Sequence, residues 1–315
     1  LSAFFGLAGP LAGTAVAVNI ETVPVGNPGN AGELSGAGAG GYGPDQICGA
    51  VDYEYRIGKY EVTAGQYTEF LNAVAKTDTY RLYTTEMIYS AGCKIDRTGS
   101  SGSYTYSVAS DYADRPVNWV SWGDAARFAN WMHNGQGDGD TETGSYTLTP
   151  EAMDGNTVVR NSGATVVIAS NDEWHKAAYY DPSTESYYNY ATSSSTQPTN
   201  VLPDLGNNAN VWDGTTWRNP SVPVGSYEYS ASPYGTFDQC GNVLEWTDTI
   251  EWTPGRVIRD GVASNWASTR STLAQVYPTF EGDTAGAWRG HGFRVVLLSD
   301  MPQQDVPGDA TGNGV

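Results

Sequence analysis

Residues 238–246 read DQCGNVLEW, with Asp238 and Glu245 bracketing an otherwise apolar run that turns on Gly241 and Asn242. Glycine lets a backbone fold tightly at such a turn. Two carboxylates brought inside by it need compensation, because burying an uncompensated charge is costly. Two readings are open. Either the pair holds a cation, or Asp238 caps local backbone while Glu245 pairs with an arginine such as Arg294.

The chain around this stretch has 315 residues, 39% of them hydrophobic, with 10 Trp, 21 Tyr and 38 Gly. That length supports one large or two modest domains, and the composition describes a folded protein rich in aromatics and loops. A formal net charge of -19, from 35 acids against 16 bases, opposes the phosphate contacts that dominate nucleic-acid affinity. No nucleic-acid partner is expected.

Helix signals occur three times. Each is a capping-box spacing that satisfies free N–H groups at a helix start: TAGQ from Thr63, SWGD from Ser121 and SNDE from Ser170. Behind the first, Tyr67, Phe70, Leu71 and Val74 share a helical face; behind the second, Ala125, Phe128, Ala129 and Met132 do. Short strand-like pieces lie between and after them: YEYRIGKYEV, TVVIA, VPVGSY, NVLEWT and RVIRD. The pattern predicts an α+β fold with little regular secondary structure. It divides into an apolar N-terminal arm with a Gly-rich linker (1–50), one domain (51–299) and a polar tail (300–315).

The linker holds a formal G-x-G-x-x-G at Gly36, Gly38 and Gly41, but Pro44 follows and no helical period begins, so it is read as a linker. The tail, with Asp309, Thr311, Asn313 and Gly314, resembles the start of a dockerin-type calcium loop that stops before its distal acid. Of the three cysteines, Cys48 and Cys93 could form a bridge in an exported protein, and Cys240 reads as a small core residue. The broken apolar opening through Val18, with Ala15-Val16-Ala17, resembles the end of a secretory signal and suggests an extracellular location.

The order of motifs is more specific than any of them alone. GKYEVTAGQYTEFLNAVA, RPVNWVSWGDAARFANWM, SNDEWHKAAYYD, PVGSYEYSASPYGTFDQCGNVLEWTD, RVIRDG and HGFRVV together resemble the formylglycine-generating enzyme, or sulfatase-modifying factor, family from about Tyr55 to Val296. The resemblance implies a variant of the C-type-lectin-like fold with bound structural calcium. Carried onto this chain, the ligands would be Asp238 and Glu245 by side chain and Gly241 and Val243 by backbone oxygen. It also implies a second calcium site upstream, for which Asn200 and Asp213 are candidates.

The same resemblance implies an oxidase whose two cysteines bind copper(I) between the R-x-G segment and G-F-R. Here Arg259 to Arg294 contains no cysteine; Ser264, Ser268, Thr269 and Ser271 stand there, and hydroxyls are poor copper(I) ligands. His133, His175 and His291 are the only histidines, and each reads as structural. No copper and no catalysis are therefore expected. The expectation is a non-catalytic extracellular structural or interaction protein that self-assembles into a homo-oligomer or filament. Its arm would use Phe4, Phe5, Leu7, Leu11, Val16, Val18 and Ile20 as apolar contacts. The alternative is a carbohydrate- or other ligand-binding module using Trp212, Trp217, Trp252, Trp266 and Trp288; an altered oxidase comes third.

Overall fold

The computed structural model describes residues 17–35, 38, 45–211, 221–252, 255–259, 272–275 and 290–298, with backbone alone at 251–252 and 272–275. Along the chain run β1 (Thr22–Val25), β2 (Glu33–Ser35), β3 (Gln46–Cys48), β4 (Tyr55–Gly58) and α1 (Ala64–Val74). There follow β5 (Ile95–Thr98), β6 (Thr105–Val108), α2 (Trp122–His133), α3 (Pro150–Asp154), β7 (Val166–Ile168) and α4 (Asn171–Tyr179). The series closes with β8 (Tyr180–Asp181), β9 (Ser186–Tyr187), β10 (Leu244–Trp252), β11 (Gly255–Arg259), β12 (Thr272–Gln275), β13 (His291–Phe293) and β14 (Val295–Leu297).

Two four-stranded sheets organise these pieces, in the orders β1-β4-β14-β7 and β12-β11-β10-β13. The second contains a parallel pair in which Leu244, Glu245 and Trp246 face His291, Gly292 and Phe293. The segment His291–Leu297 thus serves both sheets, with only Arg294 between its two strands.

All three capping boxes form as the sequence predicts: the side chains of Thr63, Ser121 and Ser170 each accept from the N3 backbone, and the N3 side chain reaches back. The helices dock through the stripes read from sequence. Phe70 of α1 meets Phe128 of α2 edge-on at 5.4 Å between ring centroids, and Phe128 meets Phe293 at 5.3 Å. Such contacts add about 0.5–1.5 kcal/mol each beyond burial, and they fix the strand that carries His291 against both helices. The VPVGSY piece forms no strand, because Gly225 takes a left-handed backbone (φ 72°) and Ser226 closes a turn onto Pro223.

The N-terminal arm departs from expectation where it is described. Backbone N–H and C=O of Val18 bond the Gln136 side chain, and β1 pairs antiparallel with β4 of its own chain. One edge of β1 is thus paired within the chain, and Val18 and Ile20 pack on the chain's own core. Phe4, Phe5, Leu7, Leu11 and Val16, like the polar tail, lie outside the described residues.

Cys48 and Cys93 are free thiols held in separate surroundings. Cys48 Sγ accepts from Asn171 Nδ2 at 3.3 Å, and the Cys93 thiol points at the Asn118 carbonyl at 3.8 Å. No described helix is long and apolar enough to cross a membrane.

Candidate functional site

The turn that opened the sequence reading becomes the buried hub of the fold. Asp238, Gly241 and Asn242 all take left-handed backbones, at φ 64°, 94° and 66°. A Cβ at Gly241 would lie 2.5 Å from the Asn210 carbonyl oxygen, so glycine is required for this close approach. Asn242 fastens the turn to neighbouring loops: its Oδ1 accepts from Asn210 Nδ2 and Val222 N. Asp238 Oδ2 accepts from Gly225 N at 2.7 Å.

Of the two readings for Glu245, the structure forms the arginine pair. Arg294 Nε and Nη2 donate to its two oxygens at 2.6 and 2.7 Å, and Trp174 Nε1 donates at 2.8 Å. Arg294 also donates to the carbonyls of Gly58 and Phe237 at 3.0 Å each. Both side chains are fully buried. A calcium ion using Glu245 would have to displace a bidentate guanidinium, so the expected set of Asp238, Gly241, Val243 and Glu245 does not fit calcium in this arrangement.

For the second expected site, Asn200 turns its amide to the Val211 carbonyl, and Asp213 lies outside the described residues. Among the described residues, no three of His, Cys, Asp and Glu come together as a metal-holding group.

The sequence reading missed Glu61. It sits in the hub, 2% exposed, and neither carboxylate oxygen has a hydrogen-bond partner. Burial first, then the charges of Asp238 and Glu245, push its carboxyl well above the usual range, against the opposing pull of Arg294. Burial also pushes Asp238 up to about 6. The available signal was an acid between Tyr60 and Val62 in an alternating run.

A second buried charge cluster, also unforeseen, surrounds Arg160. Its Nη1 and Nη2 donate to Glu173 at 2.9 and 2.7 Å, its Nε donates to Asp248, and Nη2 also reaches the Ile168 carbonyl. Tyr53 donates to Glu173 at 2.7 Å and Tyr146 to Asp248 at 3.0 Å. The cluster forms part of the wall of a cleft of about 420 Å³, with Asp52, Asp172 and Val159 also on its lining.

The three histidines divide sharply. His133, at the end of α2, shares a 2.7 Å hydrogen bond with Thr165, and His175 meets Glu33 at 3.0 Å. His291 is 3% exposed, and both ring nitrogens are without a partner. One flank of its ring faces Trp246, 5.2 Å between centroids. Burial holds the imidazole neutral by pushing its pKa down to about 4.

The segment 117–120 runs beside it: Val120 N bonds the His291 carbonyl, and a Cβ at Gly292 would meet the Val117 oxygen at 2.6 Å. On that segment Asn118 Oδ1 and Trp119 Nε1 are also unpartnered.

The copper(I) dithiolate implied by resemblance is not supplied by Cys48 and Cys93. Burial raises both thiols, Cys93 to about 12, and keeps them protonated. Ser264, Ser268, Thr269 and Ser271, and the side chains of Trp212, Trp217, Trp252, Trp266 and Trp288, lie outside the described residues.

Comparison with known proteins corrects the functional expectation. Hercynine oxygenase of Mycobacterium tuberculosis is 27% identical over 200 residues, which cover 61% of this chain and 37% of that protein. Hercynine oxygenase of Mycolicibacterium smegmatis is 33% identical over 119 residues, covering 37% of this chain and 23% of that protein. The matches thus span little more than a third of these relatives at most. Both relatives are enzymes by name, which overturns the reading of a non-catalytic, filament-forming protein.

The crystal structure of CarF superposes with a TM-score of 0.57 at 21% identity, covering 90% of this chain and 100% of that one, and shows the shared fold. The model of the sulfatase-modifying factor enzyme 1-like domain matches residues 44–297. The chain belongs to that family, and its α+β architecture of short strands and few helices is the family's fold.

Proposed function

We propose that this chain is an oxidising domain of the oxygen-dependent kind named among its relatives, acting on a small substrate bound near the β10–β13 pair. The observation that carries the reading is the match over 61% of the chain to a protein named as an oxygenase. The geometry is compatible with it. His291 of the β10–β13 pair has both ring nitrogens unpartnered, and the segment bonded to it through Val120 carries two more unpartnered groups, Asn118 Oδ1 and Trp119 Nε1. Unsatisfied buried polar groups cost about 1–3 kcal/mol each, so a cluster of them is a candidate for ligand contact.

A metal ion, were one bound, would supply the one-electron chemistry that lets dioxygen react. The chain's own contribution is positioning. Trp246 Nε1 donates to the Val120 carbonyl at 2.9 Å and holds its ring against His291. The Glu245–Arg294 pair locks the start of β10 to the residue between β13 and β14. The neutral His291 ring can donate a hydrogen bond from one nitrogen and accept one at the other without carrying charge into the core.

The test is oxygen uptake by the purified chain, reconstituted separately with Fe(II) and Cu(I) and offered free thiols, cysteine peptides and hercynine. Uptake matched by substrate loss is the expected result. Absence of uptake with both metals across the whole panel overturns the reading.

A further inference from the structure

We propose that the cleft between the N-terminal arm and α1 is a binding site for a small organic ammonium ion with an apolar body, and that Glu61 is its counter-ion. The inference goes beyond the oxidising role proposed above, since no residue of the β10–β13 pair lines this cleft.

The first argument is the state of Glu61. Among the described residues it is the one buried acid with neither oxygen hydrogen-bonded: Glu173 and Glu245 each pair with an arginine, and Asp124, Asp204 and Asp238 accept from backbone N–H groups. Leaving a buried carboxyl in this condition is costly, and native proteins do so where a partner arrives from outside the chain. Glu61 is 2% exposed and lies on the lining of a cleft of about 640 Å³.

The second argument is charge. Glu21, Glu69 and Asp114 also line the cleft and are exposed, while no Lys, Arg or His does. The nearby bases are engaged elsewhere. Lys59 reaches Glu21 at 2.8 Å, Arg115 donates to the carbonyls of Asp111 and Ser221, and Arg294 bonds Glu245. Burial, and then the charges of Asp238 and Glu245, hold the Glu61 carboxyl protonated in the free protein, against Arg294. An arriving ammonium takes over the role of that proton, which leaves to solvent.

The third argument is the kind of ligand the walls suit. Val18, Ile20, Val108, Ala113 and Val224 give the cleft apolar wall around its few polar groups, as in sites for small molecules. Calcium needs six to eight oxygens, and among the described residues no three of His, Cys, Asp and Glu gather to hold a metal. An ammonium needs one carboxylate, and its hydrocarbon body covers the apolar wall. That wall is already in place: Val18 bonds Gln136 through both N–H and C=O, Gln66 Nε2 donates to the Asn19 carbonyl at 3.0 Å, and Lys59 N donates to the Glu21 carbonyl at 2.8 Å.

The test is calorimetric titration of the full chain with 2-phenylethylamine and n-hexylamine, each beside its uncharged alcohol, 2-phenylethanol or 1-hexanol. Both amines are expected to bind at least about tenfold more tightly than their alcohols, and Glu61→Gln is expected to remove about that factor. No binding of either amine at millimolar concentration overturns the inference. So does equal binding of amine and alcohol, which would leave no role for a counter-ion. Unchanged amine affinity in Glu61→Gln also overturns it, because the exposed acids alone would then hold the ligand.

Methyl spectra of the wild-type chain decide the place even if the variant fails to fold. Amine is expected to shift the methyl signals of Ile20, Val108 and Val224; shifts confined to other methyls count against this cleft and overturn the assignment. Oxygen uptake is read separately, so failure of the oxidising role leaves amine binding standing, and the reverse holds.

Discussion

The molecule contains two buried charge clusters built around one arginine each, and they are balanced differently. Around Arg160, both acids are hydrogen-bonded to the guanidinium, and a tyrosine hydroxyl completes each one. Around Arg294, only Glu245 is bonded; Asp238 leans on a backbone N–H, and Glu61 has no partner. Arg160 holds Glu173 below the usual carboxylate range against the pull of burial, whereas burial wins at Glu61 and also at Asp248, which is raised despite its bond to Arg160.

The largest test of this contrast removes the arginines. Arg160→Met strips two buried acids at once and should cost toward the upper end of about 3–5 kcal/mol; Arg294→Met should fall toward the lower end, since Trp174 still donates to Glu245. Urea unfolding measures both, and a reversed order would break the comparison.

Next in size is pH. Burial raises the folded-state values of Asp238 to about 6 and Asp124 to about 7, from an ordinary 3.8. Their contribution is complete below the unfolded value and is lost as pH rises through the folded one. Thermal stability should therefore fall between pH 4 and pH 7, with Asp238 alone accounting for about 3 kcal/mol. A melting temperature that is flat or rising over that window would contradict the assignment.

Glu61→Met, which removes both unpartnered oxygens, should gain about 1–3 kcal/mol at pH 8 and less at pH 5. Repeating this with millimolar calcium sharpens the point. If wild-type stability at pH 8 rises with calcium and the gain vanishes in Glu61→Met, the cluster takes a cation through Glu61; if calcium changes nothing, protons alone balance it. The smallest effect concerns the caps: Thr63→Ala should cost about 1 kcal/mol, read as a shift in the urea midpoint.

Local features were the legible ones. A capping box is written within four residues, so Thr63, Ser121 and Ser170 could be placed without knowing the fold. The G-N-V-x-E-W turn was likewise legible as a site of close backbone approach, and Arg294 could be named as a partner for Glu245. What escaped was long-range. Arg160 meets Asp248 across 88 positions, and Glu61 gains its character from acids more than 170 positions away.

Function was misread through an inference from missing cysteines. His291, set aside as structural along with the other two, could not be separated from them until its lack of partners was seen.

The placement of β13 and β14 bears on how the protein is made. Strand β14 lies between β4 and β7 in one sheet, and β13 flanks β10 in the other. A nascent chain that has emerged only as far as Gly290 therefore lacks an inner strand of the first sheet and the edge of the second, together with Arg294, the partner of Glu245, and His291, the ring that faces Trp246. Neither sheet can close until the segment His291–Leu297 has left the ribosome. Folding of this domain should therefore wait for that segment, and intermediates with unpaired strand edges are the stage at which it is most exposed to aggregation.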